Sequence, residues 1–250
     1  MTTHTLSAPV FEDCNVVELR QYTLKPGQRE TLISIFDTHF IEPQESAGMR
    51  VMGQFRDLGN PDKFVWMRGF SDMQSRRHGL ETFYYGPVWA EHRNAANATM
   101  VDSDDVLLLQ PAWARSGLRQ PARTRATAAG SNPRAGRVLA TIFHLHELPD
   151  PQLLSFAGIQ LTGVLLERLA LEVGWYATNP ATNTFPKLPV REGETVLVSI
   201  ARFADSQTFA AAAAAAGDIW SGELPTLQQW LAKPPQNILL EPTSRSLLGE

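Results

Sequence analysis

Three side chains with complementary chemistry occupy alternate positions near the start of the sequence. Glu18, Arg20 and Tyr22 lie at every second position, and the apolar Val17 and Leu19 take alternate positions beside them. A period of two is typical of a β-strand with one face on a core, so the polar three are predicted to share a face. Together they can orient an oxygen-bearing molecule. A buried ion pair between Glu18 and Arg20, with Tyr22 packed beside it, is the structural alternative.

A pair of histidines is the second candidate group. His144 and His146 stand two positions apart in an apolar stretch of the second half of the chain. Imidazole titrates near neutral pH, so either side chain is a candidate general base, and both are predicted as catalytic residues. Two histidines at this spacing can also bind a metal ion. No motif supplies a third ligand, however, so no metal site is predicted.

Aromatic and basic residues complete the predicted ligand-binding set. Trp66 and Arg68 alternate on a second predicted strand, and Trp89 and His92 follow a predicted break between two helices. Core packing is the alternative for Trp89, and a buried, hydrogen-bonded imidazole is the alternative for His92. The predicted ligand-binding residues are Glu18, Arg20, Tyr22, Trp66, Arg68, Trp89 and His92.

The elements that must position these residues follow a repeated order. The first half reads as a strand, a helix, a hairpin of two strands, a broken helix and a closing strand. This βαββαβ order is typical of the ferredoxin-like fold, in which both helices cover one face of an antiparallel sheet. The second half repeats the order, and its punctuation echoes the first: Leu107–Pro111 returns as Ile238–Pro242, and Arg68–Asp72 as Ala201–Asp205. The sequence therefore predicts a tandem duplication.

The predicted fold is α+β: tandem ferredoxin-like (βαββαβ) repeats that form a dimeric-type α/β barrel. Each repeat leaves one sheet face bare, and two bare apolar faces are expected to close on each other within one chain. The cavity between the sheets is the predicted ligand site, with Glu18, Arg20 and Tyr22 facing it and the two histidines opposite. The predicted segments are a flexible N-terminal arm (1–14), a first domain (15–112), a flexible basic linker (113–136) and a diverged second domain (137–245).

Composition excludes several classes of function. The formal net charge is −4, from 22 basic and 26 acidic residues, so no global field favours nucleic acid. No stretch approaches the roughly 20 apolar residues of a membrane span, and the start of the chain does not read as a secretory signal. A cytoplasmic protein without membrane insertion is expected. No dinucleotide, phosphate-loop or heme-attachment motif is present in the sequence, so no cofactor is predicted.

Residues 18–27, with the sequence ELRQYTLKPG, resemble the opening strand and turn of NIPSNAP-domain proteins. The later Val65-Trp66, followed by residues 72–76, resembles that family's second conserved block. The resemblance covers residues 15–112 well and residues 136–243 as a diverged copy. It implies a ferredoxin-like, dimeric α/β-barrel fold and settles no reaction. A homodimer is expected.

Three functions follow as hypotheses. The first is a NIPSNAP-type protein that binds a small, partly apolar molecule, with Arg20 holding an oxygen of the ligand. The second is a cofactor-independent monooxygenase or isomerase, in which His144 or His146 is the base and Arg20 stabilises an enolate. The third is a non-catalytic structural or interaction protein that uses the arginines of the linker.

Overall fold

The computed structural model describes residues 10–122, 124–127, 133–215 and 225–249. Residues 1–9 of the predicted arm, residues 123 and 128–132 of the predicted linker and residues 216–224 of the predicted second domain lie outside the described residues. Within the described part of the chain, no helix has the length and apolar character that crossing a membrane requires.

Apart from the additional short strand β4, the strands and helices follow one another in the order that the sequence predicts. The strands are β1 (Val16–Leu24), β2 (Arg50–Asp57), β3 (Lys63–Phe70), β4 (Met100–Asp102), β5 (Val106–Pro111), β6 (Arg137–Leu145), β7 (Glu172–Thr178), β8 (Thr195–Phe203) and β9 (Gln236–Pro242). The helices are α1 (Arg29–Ile35), α2 (Ile41–Ser46), α3 (Met73–Tyr84), α4 (Pro87–Thr99), α5 (Pro151–Phe156), α6 (Thr162–Glu167) and α7 (Ser206–Ala215). Two π-helical turns, Phe36–Phe40 and Ala157–Leu161, join α1 to α2 and α5 to α6.

Local signals explain where these helices begin. The Asp72 carboxylate accepts a hydrogen bond from the Ser75 amide (2.7 Å) and caps α3, and Asp150 caps α5 in the same way through the Leu153 amide (2.7 Å). Pro87 opens α4, where its fixed φ suits the first helical position and its missing N–H is not needed. The predicted break between two helices is therefore present between α3 and α4, and Trp89 and His92 follow it.

Eight strands close into an antiparallel barrel. Their order is β1-β3-β2-β9-β6-β8-β7-β5, and β5 pairs with β1 to complete the ring, while the short β4 extends the end of β1. The halves meet at two seams, where β2 pairs with β9 and β5 pairs with β7. The predicted mixed α/β barrel is confirmed at this level. The origin of the two halves by tandem duplication stays a prediction.

The interior of the barrel is a packed apolar core. One cluster of buried residues draws on all eight barrel strands and on no residue of α1–α7, so it lies inside the ring. Val17 and Leu19 of β1 belong to it, and so do Val138, Ala140 and Ile142 of β6. These side chains alternate along each strand, as the pleat requires. The two sheets therefore meet through hydrocarbon.

The predicted facing of the first strand is wrong. Glu18, Arg20 and Tyr22 do share a face, but they point outward to the helices, and Val17 and Leu19 point into the barrel. The reason is physical: both faces of this wall are buried, one by the opposite sheet and the other by helices. The helix layer adds polar partners, Arg76 for Glu18 and Gln44 for Arg68, so the charged face turns toward it.

The segments predicted as flexible arm and linker contact the barrel where they are described. Phe11 is buried in the interior core, and the Trp175 amide of β7 donates to the Ser116 carbonyl (2.7 Å). The Arg125 guanidinium is buried and donates to the Arg245 carbonyl (2.6 Å) and to Glu45 (2.9 Å). The prediction of a solvated tether is wrong for these residues, because Arg125 finds acceptors within the chain.

Candidate functional site

Four buried charged residues meet between the sheet and the helices of the first half; we call them the buried arginine cluster. They are Glu18, Arg20, Arg68 and Arg76, each with no exposed side-chain surface. Glu18 Oε2 accepts from Arg20 Nη1 (2.8 Å) and from Arg68 Nε (2.8 Å). Its Oε1 accepts from Arg76 Nε (2.7 Å). One carboxylate thus holds three guanidinium groups.

Strand register and helix phase bring the cluster together. Glu18 of β1 lies directly opposite Arg68 of β3, and Arg20 lies opposite Trp66. Cross-strand neighbours on one face have Cβ atoms close enough for direct contact. Arg76 comes from the first turn of α3, which follows β3, and its side chain points back to the sheet. The sequence separation of the members is large, but the βαββαβ order makes them neighbours.

The cluster carries an excess of positive charge. Burial by itself would raise the pKa of Glu18, but Arg68, Arg20 and Arg76 outweigh it and hold that pKa below its usual range. Burial lowers the pKa of Arg76, against the attraction of Glu18. With one carboxylate for three guanidinium groups, the charge is not balanced within the cluster. An anion is the species that would complete it.

Several donors in and beside the cluster have no acceptor. Among the described residues, the buried Nη2 atoms of Arg20, Arg68 and Arg76 have no hydrogen-bond partner, and neither does the indole Nε1 of Trp66. Buried donors are almost always paired in folded proteins, and leaving one unpaired costs about 1–3 kcal/mol. Four unpaired donors in one region therefore point to a ligand with several acceptor oxygens.

An aromatic pocket of about 410 Å³ adjoins the cluster. Its walls combine aromatic, apolar and basic side chains: Tyr22, Tyr84, Tyr85, Trp89, Arg93, Asn97, Met100, Ser103, Phe185, Lys187 and Leu188. None of these lining residues is acidic. Two of the walls also contact the cluster, because the Tyr22 hydroxyl accepts from Arg20 Nε (3.0 Å) and the Arg68 guanidinium lies 5.8 Å from the Tyr84 ring centre.

The second half of the chain also contributes to this site. Residues 179–194 connect β7 to β8, and we call them the β7–β8 loop. Arg76 Nη1 donates to Asn183 Oδ1 (3.0 Å) and to Thr184 Oγ1 (3.2 Å). Phe185 is buried in the same apolar cluster as the helices of the first half. The site is therefore built by both halves.

Five of the predicted ligand-binding residues come together, although outside the barrel rather than inside it. These are Glu18, Arg20, Tyr22, Trp66 and Arg68.

The other two predicted ligand-binding residues do not contact the buried arginine cluster, but one of them lines the pocket beside it. Trp89 lines the aromatic pocket. His92 is half-buried, and its ring stacks on His39 with 3.8 Å between ring centres. It is not among the residues that line the aromatic pocket.

The predicted catalytic histidines lie elsewhere. His144 is on the same strand face as Ile142, which points into the barrel, and its Nδ1 is 3.7 Å from Glu194 Oε2. Burial lowers the pKa of His144, Lys233 adds to the effect and Glu194 opposes it. His146 is exposed. The prediction that these imidazoles share a cavity with Arg20 is wrong, because Arg20 lies on the outer side of the barrel wall.

Sequence reasoning missed part of the site. Arg76 lies within residues 72–76, the second block of the family resemblance, so a signal for it was present. Phe185, Lys187 and Asn183 gave none, since a loop that joins two strands carries no periodic pattern. Among the described residues, no group of three or more His, Cys, Asp or Glu side chains is arranged to bind a metal ion. The donors present suit an anionic organic group.

The NIPSNAP family model matches residues 17–115, which span β1 to β5 and thus hold the whole first-half part of the site. A search of curated proteins finds no match to this sequence. The remaining likeness is to solved structures.

Three solved structures share the fold along most of the chain. An anthrone oxidase-like protein is 12% identical, covers 94% of this chain and 94% of its own, and gives a TM-score of 0.58. A protein from Fusobacterium nucleatum described as a putative monooxygenase is 8% identical, covers 91% of this chain and 92% of its own, and gives 0.56. Another protein described as a putative monooxygenase, from Lactobacillus acidophilus, is 12% identical, covers 90% of this chain and 92% of its own, and gives a TM-score of 0.52. At these identities the likeness shows the fold alone.

Proposed function

We propose that this chain, whose residues 17–115 form a NIPSNAP domain, binds a small, partly apolar molecule with an anionic group. The apolar part lies in the aromatic pocket, and the anionic group is directed to the buried arginine cluster. This site lies between the sheet and the helices of the first half. The sequence predicted the ligand site between the two sheets, but apolar side chains fill that space.

The observation that carries the proposal is the set of unpaired donors. The Nη2 atoms of Arg20, Arg68 and Arg76 and the indole Nε1 of Trp66 are buried and lack acceptors among the described residues. Hydrogen bonds between guanidinium groups and a carboxylate or phosphate are about twice as strong as those between neutral groups. A bound anion would satisfy these donors and offset the excess positive charge at once.

The aromatic pocket supports the same class of ligand. Its volume of about 410 Å³ falls in the range of about 300–1,000 Å³ that small-molecule sites occupy. Arg93 and Lys187 at the pocket attract an anion, and the rings of Trp89 and Phe185 offer apolar contact. Tyr22 joins the pocket to the cluster, since it lines the first and accepts a hydrogen bond from Arg20.

Binding of a matched pair of probes tests the proposal. In isothermal titration calorimetry, 2-naphthoate is expected to bind, and 2-naphthamide, its neutral counterpart, at least 10-fold more weakly. Tyr22→Phe keeps the ring and removes the hydroxyl, whose proton can be donated to a ligand carboxylate because the hydroxyl accepts from Arg20. This variant is therefore expected to weaken 2-naphthoate about 10-fold. Tyr176→Phe is the matched control: it removes another buried tyrosine hydroxyl, which accepts from the Leu118 amide far from the pocket. Equal affinity for the acid and the amide would overturn the proposal.

An enzyme is the second candidate, and the position of Tyr22 favours it. The Tyr22 phenol lines the pocket and is held by Arg20 Nε (3.0 Å), and burial raises its pKa, with Arg20 opposing. A neutral phenol backed by a guanidinium can donate to the oxygen of an enolate, as a cofactor-independent monooxygenase or isomerase needs. The base would not be His144, which lies inside the barrel wall. Oxygen uptake or product formation with a bound ligand supports this candidate, and binding without turnover refutes it.

We further propose that the chain arose by duplication of a βαββαβ unit and forms a homodimer in the cytoplasm. The strand orders β5-β1-β3-β2 and β9-β6-β8-β7 support the duplication, as do the π-helical turns at equivalent places. Exposed apolar residues on the helices of the second half, Ile159 and Leu166, support a dimer contact. Light scattering that gives the mass of one chain at micromolar concentration would refute the dimer.

A further inference from the structure

The β7–β8 loop is placed to select the ligand of the first-half site. It belongs to the second half, yet three of its residues, Phe185, Lys187 and Leu188, line the aromatic pocket. We infer that this loop makes the site specific for flat ring acids, with Phe185 as the wall for the ring and Lys187 as a counter-charge. The inference rests on the proposed function and names the ligand class for it.

The geometry of the pocket's aromatic rings supports a flat ligand. The Phe185 ring lies 5.9 Å from Tyr84, with 30° between the ring planes, and 5.9 Å from Tyr85, with 56° between them. Aromatic rings attract each other at centre distances of about 4.5–7 Å, in offset or edge contacts. A flat ring that enters this pocket meets ring faces and edges from both halves. A flexible alkyl chain gains only the apolar contact.

Charge at the same wall supports an acid. The Lys187 ammonium lies 4.8 Å from the centre of the Tyr85 ring, and Arg93 lines the same pocket. The ammonium therefore sits over an aromatic face beside the pocket, where an anionic group can pair with it. No lining residue offers a carboxylate that would compete with the ligand for these cations.

Hydrogen bonds hold the loop in this position at both ends. Near its start, Asn183 Oδ1 and Thr184 Oγ1 accept from Arg76, and Asn183 Nδ2 donates to the Leu188 carbonyl (2.9 Å). Near its end, the Arg191 amide donates to the Val106 carbonyl (2.8 Å). The wall is therefore ordered before a ligand arrives, which lowers the entropy that binding must lose.

The matching loop of the first half has no such role. It joins Asp57 of β2 to Lys63 of β3 through a tight hairpin, closed by the Asp57 carboxylate on the Gly59 amide (2.7 Å). The β7–β8 loop spans the much longer interval from Thr178 to Thr195. Long ordered loops in compact domains are commonly functional. The extra length is what lets the second half reach the site of the first.

A comparison of two acids on loop variants tests the inference. The wild type is expected to bind 2-naphthoate at least 10-fold more tightly than octanoate, a flexible acid. Phe185→Ala is expected to weaken 2-naphthoate about 10-fold and octanoate only about 3-fold, because the alkyl chain loses apolar contact but no ring contact, so that the preference falls. Lys187→Gln is expected to weaken both acids about 3- to 10-fold and to leave 2-naphthamide unchanged. Thr182→Ala, at an exposed position of the same loop outside the pocket lining, is the matched control.

The outcomes separate this inference from the proposed function. If the wild type binds both acids equally, or if Phe185→Ala keeps the preference, the loop does not select rings and the proposed function stands. If the wild type binds neither acid, both proposals fail. Circular dichroism of Phe185→Ala checks that the barrel is intact. Octanoate binding that weakens by no more than about 3-fold in that variant gives the same check at the site itself.

Discussion

The two halves of the barrel place opposite kinds of side chain on the same face. On the helix-facing side of the first half, the cross-strand pairs include Glu18 with Arg68 and Arg20 with Trp66. On the corresponding side of the second half, Thr141 faces Ser199 and Phe143 faces Leu197. The second half shows that this barrel closes and packs its helices without a single charge at these positions.

The buried tryptophans on the helix-facing sides of the two halves also differ, in whether their indole N–H has an acceptor. Trp66 and Trp175 are both almost wholly buried. The indole Nε1 of Trp175 donates to Thr162 Oγ1 (2.8 Å), while that of Trp66 has no acceptor among the described residues. The buried indole N–H of the second half therefore has an acceptor, and that of the first half does not. Because a buried ion cluster is weak as a source of stability, stability alone does not account for the charges of the first half, and the proposed ligand would.

The largest effect is expected from removing the single carboxylate of the cluster. Glu18→Gln leaves Arg20, Arg68 and Arg76 buried without a counter-charge, and losing one partner of a buried ion pair costs about 3–5 kcal/mol. The matched change in the second half is Thr141→Val, which removes one hydrogen bond to Asn237 and is expected to cost about 1 kcal/mol. Urea unfolding of both variants measures the difference.

Equal losses in the two variants would break the comparison. It would mean that the arginines relax to solvent or to other acceptors once Glu18 is gone. A saturating anion should then have no special effect. If the comparison holds, an anion that binds the cluster should recover part of the stability of Glu18→Gln, because binding to the native state alone stabilises it.

For the first strand, the sequence predicts which side chains share a face but not whether that face points into or out of the barrel. The alternation of Glu18, Arg20 and Tyr22 fixes that they share a face, and the structure confirms this. It cannot decide which face, since both sides of the wall are buried and the pleat has the same period on each. The polar partners that decide it, Gln44 and Arg76, come from helices whose docking no strand pattern records.

The histidines show the same limit of strand patterns, which do not predict contacts with loops. His144 shares a strand face with Ile142, and the acidic side chain beside it is Glu194, which belongs to a loop without a periodic pattern. The site as a whole combines β1, β3, α3 and the β7–β8 loop. The first three follow from the βαββαβ order, whereas the loop contact depends on how the two halves close.

A buried carboxyl group in the first half gives the next largest effect, and among the described residues the second half has no equivalent at the matching position. Asp37 lies in the first π-helical turn, where the turn of the second half has Gly158. Burial raises the pKa of Asp37 to about 6, although Thr243 and the nearby arginines oppose it. The folded state therefore holds this proton more tightly than the unfolded chain does. The stability that it contributes is complete below about pH 4 and is lost as pH rises through about 6.

Asp37→Asn is therefore expected to stabilise the protein at pH 7 by up to about 3 kcal/mol and to leave it nearly unchanged at pH 4. Urea unfolding between these two pH values checks the prediction. Glu30→Gln is the control, since Glu30 is largely exposed and its pKa is lowered, mainly by Arg56. A stabilisation by Asp37→Asn that is the same at both pH values would show that its proton is not involved.

The smallest effect concerns the loops that join the middle strands of each half. The end of the β7–β8 loop is held by a half-exposed ion pair, Arg191 with Asp105 (3.1 Å). Such pairs contribute about 0–1 kcal/mol, so Asp105→Asn should barely change the global midpoint of unfolding. It should instead speed hydrogen exchange of the Arg191 amide, which donates to the Val106 carbonyl. The Gly59 amide in the hairpin of the first half, held by Asp57, should exchange as before. If Asp105→Asn lowers the midpoint of thermal unfolding by several degrees, the β7–β8 loop unfolds together with the barrel. The β7–β8 loop and the first-half hairpin would then differ in length but not in local stability.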